Sequence, residues 1–220
     1  MSRAIASKWV KQSVLQKNEA VAKHIPETCF YRQAQLQQML DKHGMVVLKP
    51  VIGTGGGGLL RVEKTDNGYL CSHGSRNVSL KSFGAAVGFV NRHRKRRKYL
   101  IQQGIHLATI NGRPLDYRVK LVKLPKGRWQ IRAMVGRLAR KGLFVTNLCK
   151  GGQQLKFAAA LSGSLPDVPI AEKKSELRAL SYTCVKMMEQ SFPGIGELGF
   201  DFALDTNGQP WLLEVNTRPF

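Results

Sequence analysis

The segment Gly199–Asn216, GFDFALDTNGQPWLLEVN, constrains the fold more than any other part of the chain, because apolar residues alternate on both sides of Asn207-Gly208. Asn-Gly between two such runs is the strongest short hairpin signal. A two-residue type I′ turn sets Thr206 opposite Gln209 and, counting outward, Asp201 opposite Glu214. Side chains alternate along a strand, so Phe200, Phe202 and Leu204 are expected to share a face with Trp211, Leu213 and Val215. The other face then carries Asp201, Glu214 and Asn216. Like charges directly opposite one another destabilise a sheet, and a hard divalent cation with oxygen ligands relieves them. Mg²⁺, with Mn²⁺ as its substitute, is the expected ion. The alternative is a solvated face with two unrelated acids. Pro210 fits less well, since proline favours strand starts and edges.

A chain of 220 residues with 43% hydrophobic content can bury one substantial core or two small ones, which excludes a disordered polypeptide. Its 35 Lys+Arg against 14 Asp+Glu give a formal charge of +21. Such a surface attracts nucleic acid, acidic peptides and polyphosphates without choosing among them. Cys29, Cys71, Cys149 and Cys184 show no metal or redox spacing, which suits free thiols in a reducing compartment. No stretch has the length of a transmembrane span. The start, MSRAIASKWVKQSVLQK, is basic and acid-poor like a transit peptide, yet Trp9, Val10, Val14 and Leu15 suit an amphipathic helix. A cytoplasmic protein is expected.

Periodicity predicts a helix over about 5–23, broken by Ile25-Pro26, and a second over about 31–42 closed by His43-Gly44. Residues 45–51 and 59–64 are expected as strands around Gly53-Thr-Gly-Gly-Gly-Gly58, with a helix over about 79–94 ending in Arg94–Lys98. Strands are then expected at 99–103, 116–123, 129–135 and 143–148, a helix over about 171–191, and the final hairpin. The order predicts an α+β fold with two lobes. Its divisions are an N-terminal helical segment 1–44, a glycine-loop subdomain 45–102 and an antiparallel-sheet subdomain 103–220.

Five glycines among six residues, between strands and preceded by Lys49, make a backbone that can approach a polyphosphate and donate N–H groups to it. The pattern is neither a P-loop nor a dinucleotide fingerprint, because a strand follows the glycines where those motifs place a helix. A purely structural glycine turn is the alternative. Asp116 and Arg118 lie two apart on one strand face, where a surface ion pair is the bland explanation. The five histidines form no pair at ligand spacing.

Lys49-Pro50 before the glycine loop, Tyr99-Leu-Ile-Gln-Gln-Gly-Ile105, Asp116-Tyr-Arg118, Val145-Thr-Asn-Leu-Cys-Lys-Gly-Gly152, Gly199-Phe-Asp201 and Glu214-Val-Asn-Thr-Arg-Pro219 resemble the ordered motifs of the ATP-grasp superfamily. Together with Ser7-Lys8-Trp9 and Ile25-Pro-Glu-Thr28, they resemble its YheC/YheD-like, endospore-coat-associated branch over nearly the whole chain. The resemblance implies an ATP-grasp fold in which two α+β subdomains clamp ATP. It implies phosphate contacts from Lys8, Lys49 and the loop Gly55, Gly56, Gly57 and Gly58. Adenine would lie along Gln102, Gln103 and Ile105, with Gln103 where many relatives have Glu. Asp201, Glu214 and Asn216 would bind Mg²⁺.

The implied chemistry is carboxylate–amine (or thiol) ligation through an acylphosphate, releasing ADP and phosphate, with Arg118, Arg137, Arg218 and Asn147 as catalytic candidates. A kinase using the same site, and a non-catalytic basic ATP- or polyanion-binding module, are the alternatives. An unidentified carboxylate and amine, an acidic peptide, and tRNA or another polyanion docking on Arg92–Lys98 are the expected partners, beside a solvated face as the plainer account of that cluster. Relatives carry an additional N-terminal α/β domain and continue past the E-x-N segment, so an ATP-grasp core without that domain is expected. By the same resemblance, spore association is the alternative location.

Overall fold

The computed structural model describes residues 3–53 and 55–219; Thr54, in the glycine loop, and Phe220 lie outside the described residues. In chain order the elements are α1 (Lys8–Leu15), α2 (Glu19–Ala22), β1 (Thr28–Phe30), α3 (Gln33–His43), β2 (Met45–Pro50), β3 (Leu60–Thr65), β4 (Gly68–His73), β5 (Arg76–Leu80) and α4 (Phe83–Arg94). There follow β6 (Tyr99–Gln103), β7 (Thr109–Ile110), β8 (Arg113–Lys123), β9 (Trp129–Leu138), a 3₁₀ turn at Leu148–Lys150, β10 (Gln153–Lys156), α5 (Phe157–Ser164), α6 (Ile170–Ser191), β11 (Glu197–Leu204) and β12 (Pro210–Asn216). The chain divides into two compact α+β units.

The glycine-loop unit comprises residues 26–105 and 142–145. Its antiparallel sheet has the order β1-β6-β2-β3-β4-β5. Alternation gives the sheet two unlike faces. Val46, Leu48, Leu60, Val62, Cys71, Tyr99 and Ile101 form a core with Leu36 and Leu40 of α3 and Val87 and Val90 of α4. The other face presents one cross-strand row of Thr28, Gln102, Val47, Arg61, Ser72 and Asn77. Ser82, whose hydroxyl accepts the Ala85 N–H at 3.2 Å, caps α4. Ser79, the expected helix start, is instead paired with Leu70 in the sheet.

The carboxylate unit comprises residues 3–25, 106–141 and 146–219. Its sheet has the order β10-β9-β8-β11-β12, with β7 on the edge of β8. One face packs Tyr117, Val119, Leu121, Phe200, Phe202, Leu204 and Val215 against Leu177, Cys184, Val185 and Met188 of α6. The expected N-terminal helix is broken, because the Asn18 side chain accepts the Val21 N–H at 3.2 Å and caps a separate α2. The buried stripe of α1 is also different from the expected one: Lys8, Lys11, Gln12 and Leu15 are covered, while Val10 is 41% exposed.

Residues 143–147 form no strand. The Thr146 hydroxyl donates to the Asp116 carboxylate at 2.6 Å, and the chain then reverses through Gly151 at φ 82°. A Cβ on Gly152 would stand 2.8 Å from the Thr146 carbonyl oxygen, so this reversal needs glycine. The strand that completes the edge is β10, paired with β9.

The final hairpin pairs Asp201 with Glu214 as expected, but by another route. Its loop has three residues, 206–208: the Gly208 N–H donates to the Asp205 carbonyl at 3.0 Å, and Gly208 adopts φ 78°. That arrangement is a type I turn followed by a left-handed residue. It shifts the register by one, pairing Phe202 with Leu212, and a bulge between Phe202 and Asp201 restores it. Leu212, 4% exposed, therefore joins the core, while Trp211 and Leu213 stay partly exposed.

Candidate functional site

Four neighbouring strands, β9, β8, β11 and β12, place five charged groups together in the carboxylate unit. Asp201 of β11 pairs with Arg118 of β8 on one side and Glu214 of β12 on the other, while Asp116 of β8 pairs with Arg137 of β9. Arg118 forks onto Asp201, its Nε on Oδ1 and its Nη2 on Oδ2, the latter at 3.1 Å. The Arg137 guanidinium grips Asp116 through Nε at 2.7 Å and Nη2 at 2.5 Å, and Nη2 also lies 3.0 Å from Asp201 Oδ1. Asn216 Nδ2 donates to Asp201 Oδ2 at 3.3 Å. The Asp116–Arg118 ion pair, the bland alternative for these residues, is thus replaced by two crossed pairs. These are not surface salt bridges: Arg137 is 6% exposed and Asp116 4%.

Burial sets the electrostatics here. It opposes the charge on Arg137, yet the carboxylates of Asp116 and Asp201 hold its guanidinium above its usual range. Burial lifts the Asp116 carboxyl above its ordinary value, against the pull of Arg137. Glu214 meets the Lys8 ammonium at 2.6 Å. Lys11, one turn further along α1, is pushed down to about 8 by burial, with Glu214 and Asp201 acting in the opposite sense. The like-charged pair Asp201/Glu214 is therefore offset by side-chain cations from β8, β9 and α1.

The glycine of the Gly199-Phe-Asp201 motif has a packing reason. A Cβ there would lie 2.6 Å from Pro219 Cβ, so Gly199 lets the segment after Asn216 close over β11. That segment is pinned by Thr217, whose hydroxyl accepts the Ile5 N–H at 2.8 Å, and by Lys120, which donates to the Pro219 carbonyl at 2.9 Å. Arg218 between them is exposed. Asn147 is half-buried next to Thr146 and accepts the Lys150 N–H on its backbone carbonyl at 2.9 Å.

In the glycine-loop unit, Lys49 is 4% exposed and its ammonium donates to Gln102 Oε1 at 2.9 Å. Gln102 Nε2 donates in turn to Thr28 Oγ1 at 3.1 Å, which fixes the orientation of the amide. Gln103 is committed to the neighbouring strand end: its N–H donates to Glu27 O at 2.8 Å, and its Oε1 accepts the Glu27 N–H at 3.3 Å. Gly104 donates to Met45 O at 2.8 Å and leaves no room for a Cβ, which would lie 2.5 Å from Met45 Cγ. Ile105 ends the unit. In the loop itself Gly55, Gly56 and Gly58 have φ of 62°, 68° and 76°. Successive residues in such conformations turn backbone N–H groups toward one side and form an anion-binding concavity.

Asp116, Thr146, Lys11 and Thr28 belong to these networks, and none of them is a site candidate in the sequence. Asp116 stands there only as one half of a surface ion pair with Arg118. Lys11 could have been found from its spacing of three from Lys8, which puts both on one helix face. Thr28 and Thr146 lie within the motifs Ile25–Thr28 and Val145–Gly152, but periodicity gives neither a partner.

Fold and motifs together define an ATP-grasp protein: the chain belongs to the YheC/D-like ATP-grasp family, whose model matches residues 1–220. It is 28% identical over 225 residues to the endospore coat-associated protein YheD of Bacillus subtilis (strain 168), covering 99% of this chain and 49% of that protein. To YheC of the same organism it is 24% identical, covering 100% of this chain and 61% of that one. The chain spans about half the length of the curated relatives it matches. Among solved structures, D-alanyl-alanine synthetase A from Vibrio cholerae O1 superposes with a TM-score of 0.60 at 14% identity, over 97% of this chain and 55% of that one.

No helix among the described residues is long and apolar enough to cross a membrane. Nor do three His, Cys, Asp or Glu side chains among them converge on a metal position. The donors that do lie together, two carboxylates and a carboxamide, still fit Mg²⁺. That ion keeps several waters and binds through one or two carboxylates plus substrate phosphates.

Proposed function

We propose that the chain is an ATP-dependent ligase that activates a carboxylate as an acylphosphate and transfers the acyl group to an amine. The observation that carries this reading is the buried Arg118–Asp201–Arg137–Asp116 network with Glu214 beside it, built on a fold of the ATP-grasp family. A solvated hairpin would not invest two nearly buried arginines in orienting one aspartate. Asp201, Glu214 and Asn216 are the metal-holding candidates; a bound Mg²⁺ supplies neutralisation of phosphate charge. Lys49 and the amides of Gly55–Gly58 are the polyphosphate-binding candidates of the glycine-loop unit, and Lys8 is the phosphate-binding candidate of the carboxylate unit. With the Gln103 side chain committed to Glu27 and the Gln102 amide to Lys49 and Thr28, adenine recognition falls to the backbone from Gln102 to Ile105.

In the first step a substrate carboxylate oxygen attacks the γ-phosphorus, the bond to the β–γ bridging oxygen breaks, and ADP leaves. In the second the amine attacks the acyl carbon, phosphate departs, and the amine loses a proton. Such transfer needs alignment and charge neutralisation more than a covalent protein nucleophile. Arg118 and Arg137 fix the carboxylates, and Arg218, exposed, and Asn147, half-buried, are the catalytic candidates whose accessibility is compatible with contact to a substrate. A thiol acceptor is compatible with the same two steps. The name D-alanyl-alanine synthetase describes a condensation of this kind for the structural neighbour. The relatives' coat association supports a spore-associated location for this chain over a plain cytoplasmic one.

The test is to incubate the protein with Mg-ATP, pooled amino acids and hydroxylamine, then measure ADP, phosphate and products by phosphorus NMR and mass spectrometry. ADP release with a hydroxamate or an amide product supports ligation. A stable phosphate ester with no free phosphate makes the protein a kinase. ATP binding without ADP release under any acceptor makes it a binding module, for which the exposed Arg92, Lys95, Arg96 and Lys98 would be the polyanion or tRNA surface.

A further inference from the structure

The basic run after α4 is more than a charged helix end. Lys95 and Arg96 both adopt left-handed backbone, φ 48° and 59°, a conformation uncommon for residues with side chains and rarer in succession. Strain of this kind persists where surrounding contacts hold it, and it concentrates at ligand sites. Here Arg94 does the holding. Its guanidinium lies 4.7 Å from the centre of the Tyr31 ring, its Nε donates to Asn91 Oδ1 at 2.8 Å, and its Nη1 donates to the Arg97 carbonyl at 3.3 Å.

The turn so fixed delivers Arg97 to the glycine loop. Arg97 Nη2 donates to the Tyr99 hydroxyl at 3.1 Å, and that hydroxyl donates to the Gly58 carbonyl at 2.9 Å. The fit is close: a Cβ on Gly58 would lie 2.7 Å from Tyr99 Oη and 2.8 Å from Arg97 Nη2. Arg97 nevertheless remains exposed, and its guanidinium lies 5.6 Å from the centre of the Tyr99 ring. A guanidinium has five donors, and among the described residues Tyr99 is the only hydrogen-bond acceptor its side chain uses. A planar cation with donors to spare is thus held beside the glycine turn, where Gly55, Gly56 and Gly58 have the positive φ of turn backbone that suits anion binding.

We infer that Arg97 is a further polyphosphate-binding residue of the glycine loop, and that Tyr99 is its positioning residue, tying the guanidinium to Gly58. The ligand class is a nucleoside polyphosphate or the polyphosphate alone. This rests on the nucleotide reading above but adds a contact that no motif of the sequence indicates, since Arg97 looks there like one of six clustered cations.

Calorimetry on the full chain tests it, with inorganic tripolyphosphate, ATP and adenosine as probes. The variants are Arg97→Gln, Arg97→Lys, Tyr99→Phe and, as an exposed-charge control on the same run, Arg92→Gln. A charge-assisted hydrogen bond lost at the site predicts that Arg97→Gln weakens tripolyphosphate and ATP about tenfold more than Arg92→Gln does. Arg97→Lys recovers part of the loss. Tyr99→Phe weakens both polyphosphates severalfold with the formal charge unchanged, and adenosine binding is the same in every variant. Equal losses for Arg97→Gln and Arg92→Gln, with the native chain binding ATP, overturn this inference alone and leave general surface charge as the cause. No binding of either polyphosphate by the native chain overturns the nucleotide reading and this contact with it.

Discussion

At the scale of single residues, the question posed by Asp201 and Glu214 is how two facing carboxylates are tolerated. Arg118 and Arg137 supply the answer for Asp201, and Lys8 for Glu214. The pairing of the acids was legible in the sequence, because strand alternation fixes which side chains share a face. Their neutralising partners were not, since they come from β8, β9 and α1, and sequence spacing says nothing about which strands become neighbours. Lys11 shows a cost of the arrangement. Burial lowers its pKa from 10.5 to about 8, so between those values the unfolded chain holds the proton and the folded chain releases it. Stability from this group is therefore least below pH 8, rises as pH goes from 8 to 10.5, and is level above. In urea unfolding with EDTA, Lys11→Met is expected to be more stable than the native chain at pH 7, and the pH-dependent part of that difference, about 3 kcal/mol, should fade by pH 10.5. Cys71 and Cys184, raised by burial to about 11 and about 12, act in the opposite direction but are common to both proteins and cancel. A difference that does not change with pH would mean that the folded chain holds this lysine as water does.

At the scale of elements, the hairpin shows how a correct pairing can follow from a wrong turn. Asn207-Gly208 signals a turn in either a two- or a three-residue loop, and the dipeptide alone does not choose between them. Here Asp205 decides locally: its Oδ1 accepts the N–H groups of Asn207 and Gln209 at 2.9 and 3.0 Å, and its Oδ2 accepts the Trp211 indole N–H at 3.0 Å. The three-residue loop moves the pairing between the turn and Phe202 by one place, so Leu212 rather than Leu213 enters the core, and the bulge next to Asp201 restores the register. The turn demands glycine at 208, where φ is 78° and a Cβ would meet Val168 Cγ2 at 3.2 Å. Gly208→Ala should cost about 1–2 kcal/mol by the left-handed penalty for a residue with a Cβ. Gly208→Asn should cost less despite its bulk, because Asn tolerates that conformation. Denaturant midpoints measure both; an alanine variant as stable as the native chain would rule out the left-handed turn. The false strand at 143–148 has a similar origin: its alternation is real, but Thr146 is drawn to Asp116 and the glycines beyond it reverse the chain.

At the scale of the whole molecule, two antiparallel sheets, each with one apolar face under helices and one face carrying polar and charged groups, account for most of the sequence pattern. Strand periodicity made the α+β class legible, and the motif order made the ATP-grasp family legible. The second edge strands β5 and β10 were not, being short and half-polar, with no periodic signal above that of the loops around them. The formal charge of +21 belongs to this scale as well. It favours polyanionic ligands in general, so weak, salt-sensitive ATP binding alone would not distinguish a built site from a basic surface. Metal dependence does. The decisive measurement is calorimetric titration of ATP with and without Mg²⁺, comparing the native chain with Asp201→Asn/Glu214→Gln. Tighter binding with Mg²⁺ is expected in the native chain, and no metal effect in the double variant. Binding that ignores Mg²⁺ in the native chain, or no binding at all, would contradict that expectation.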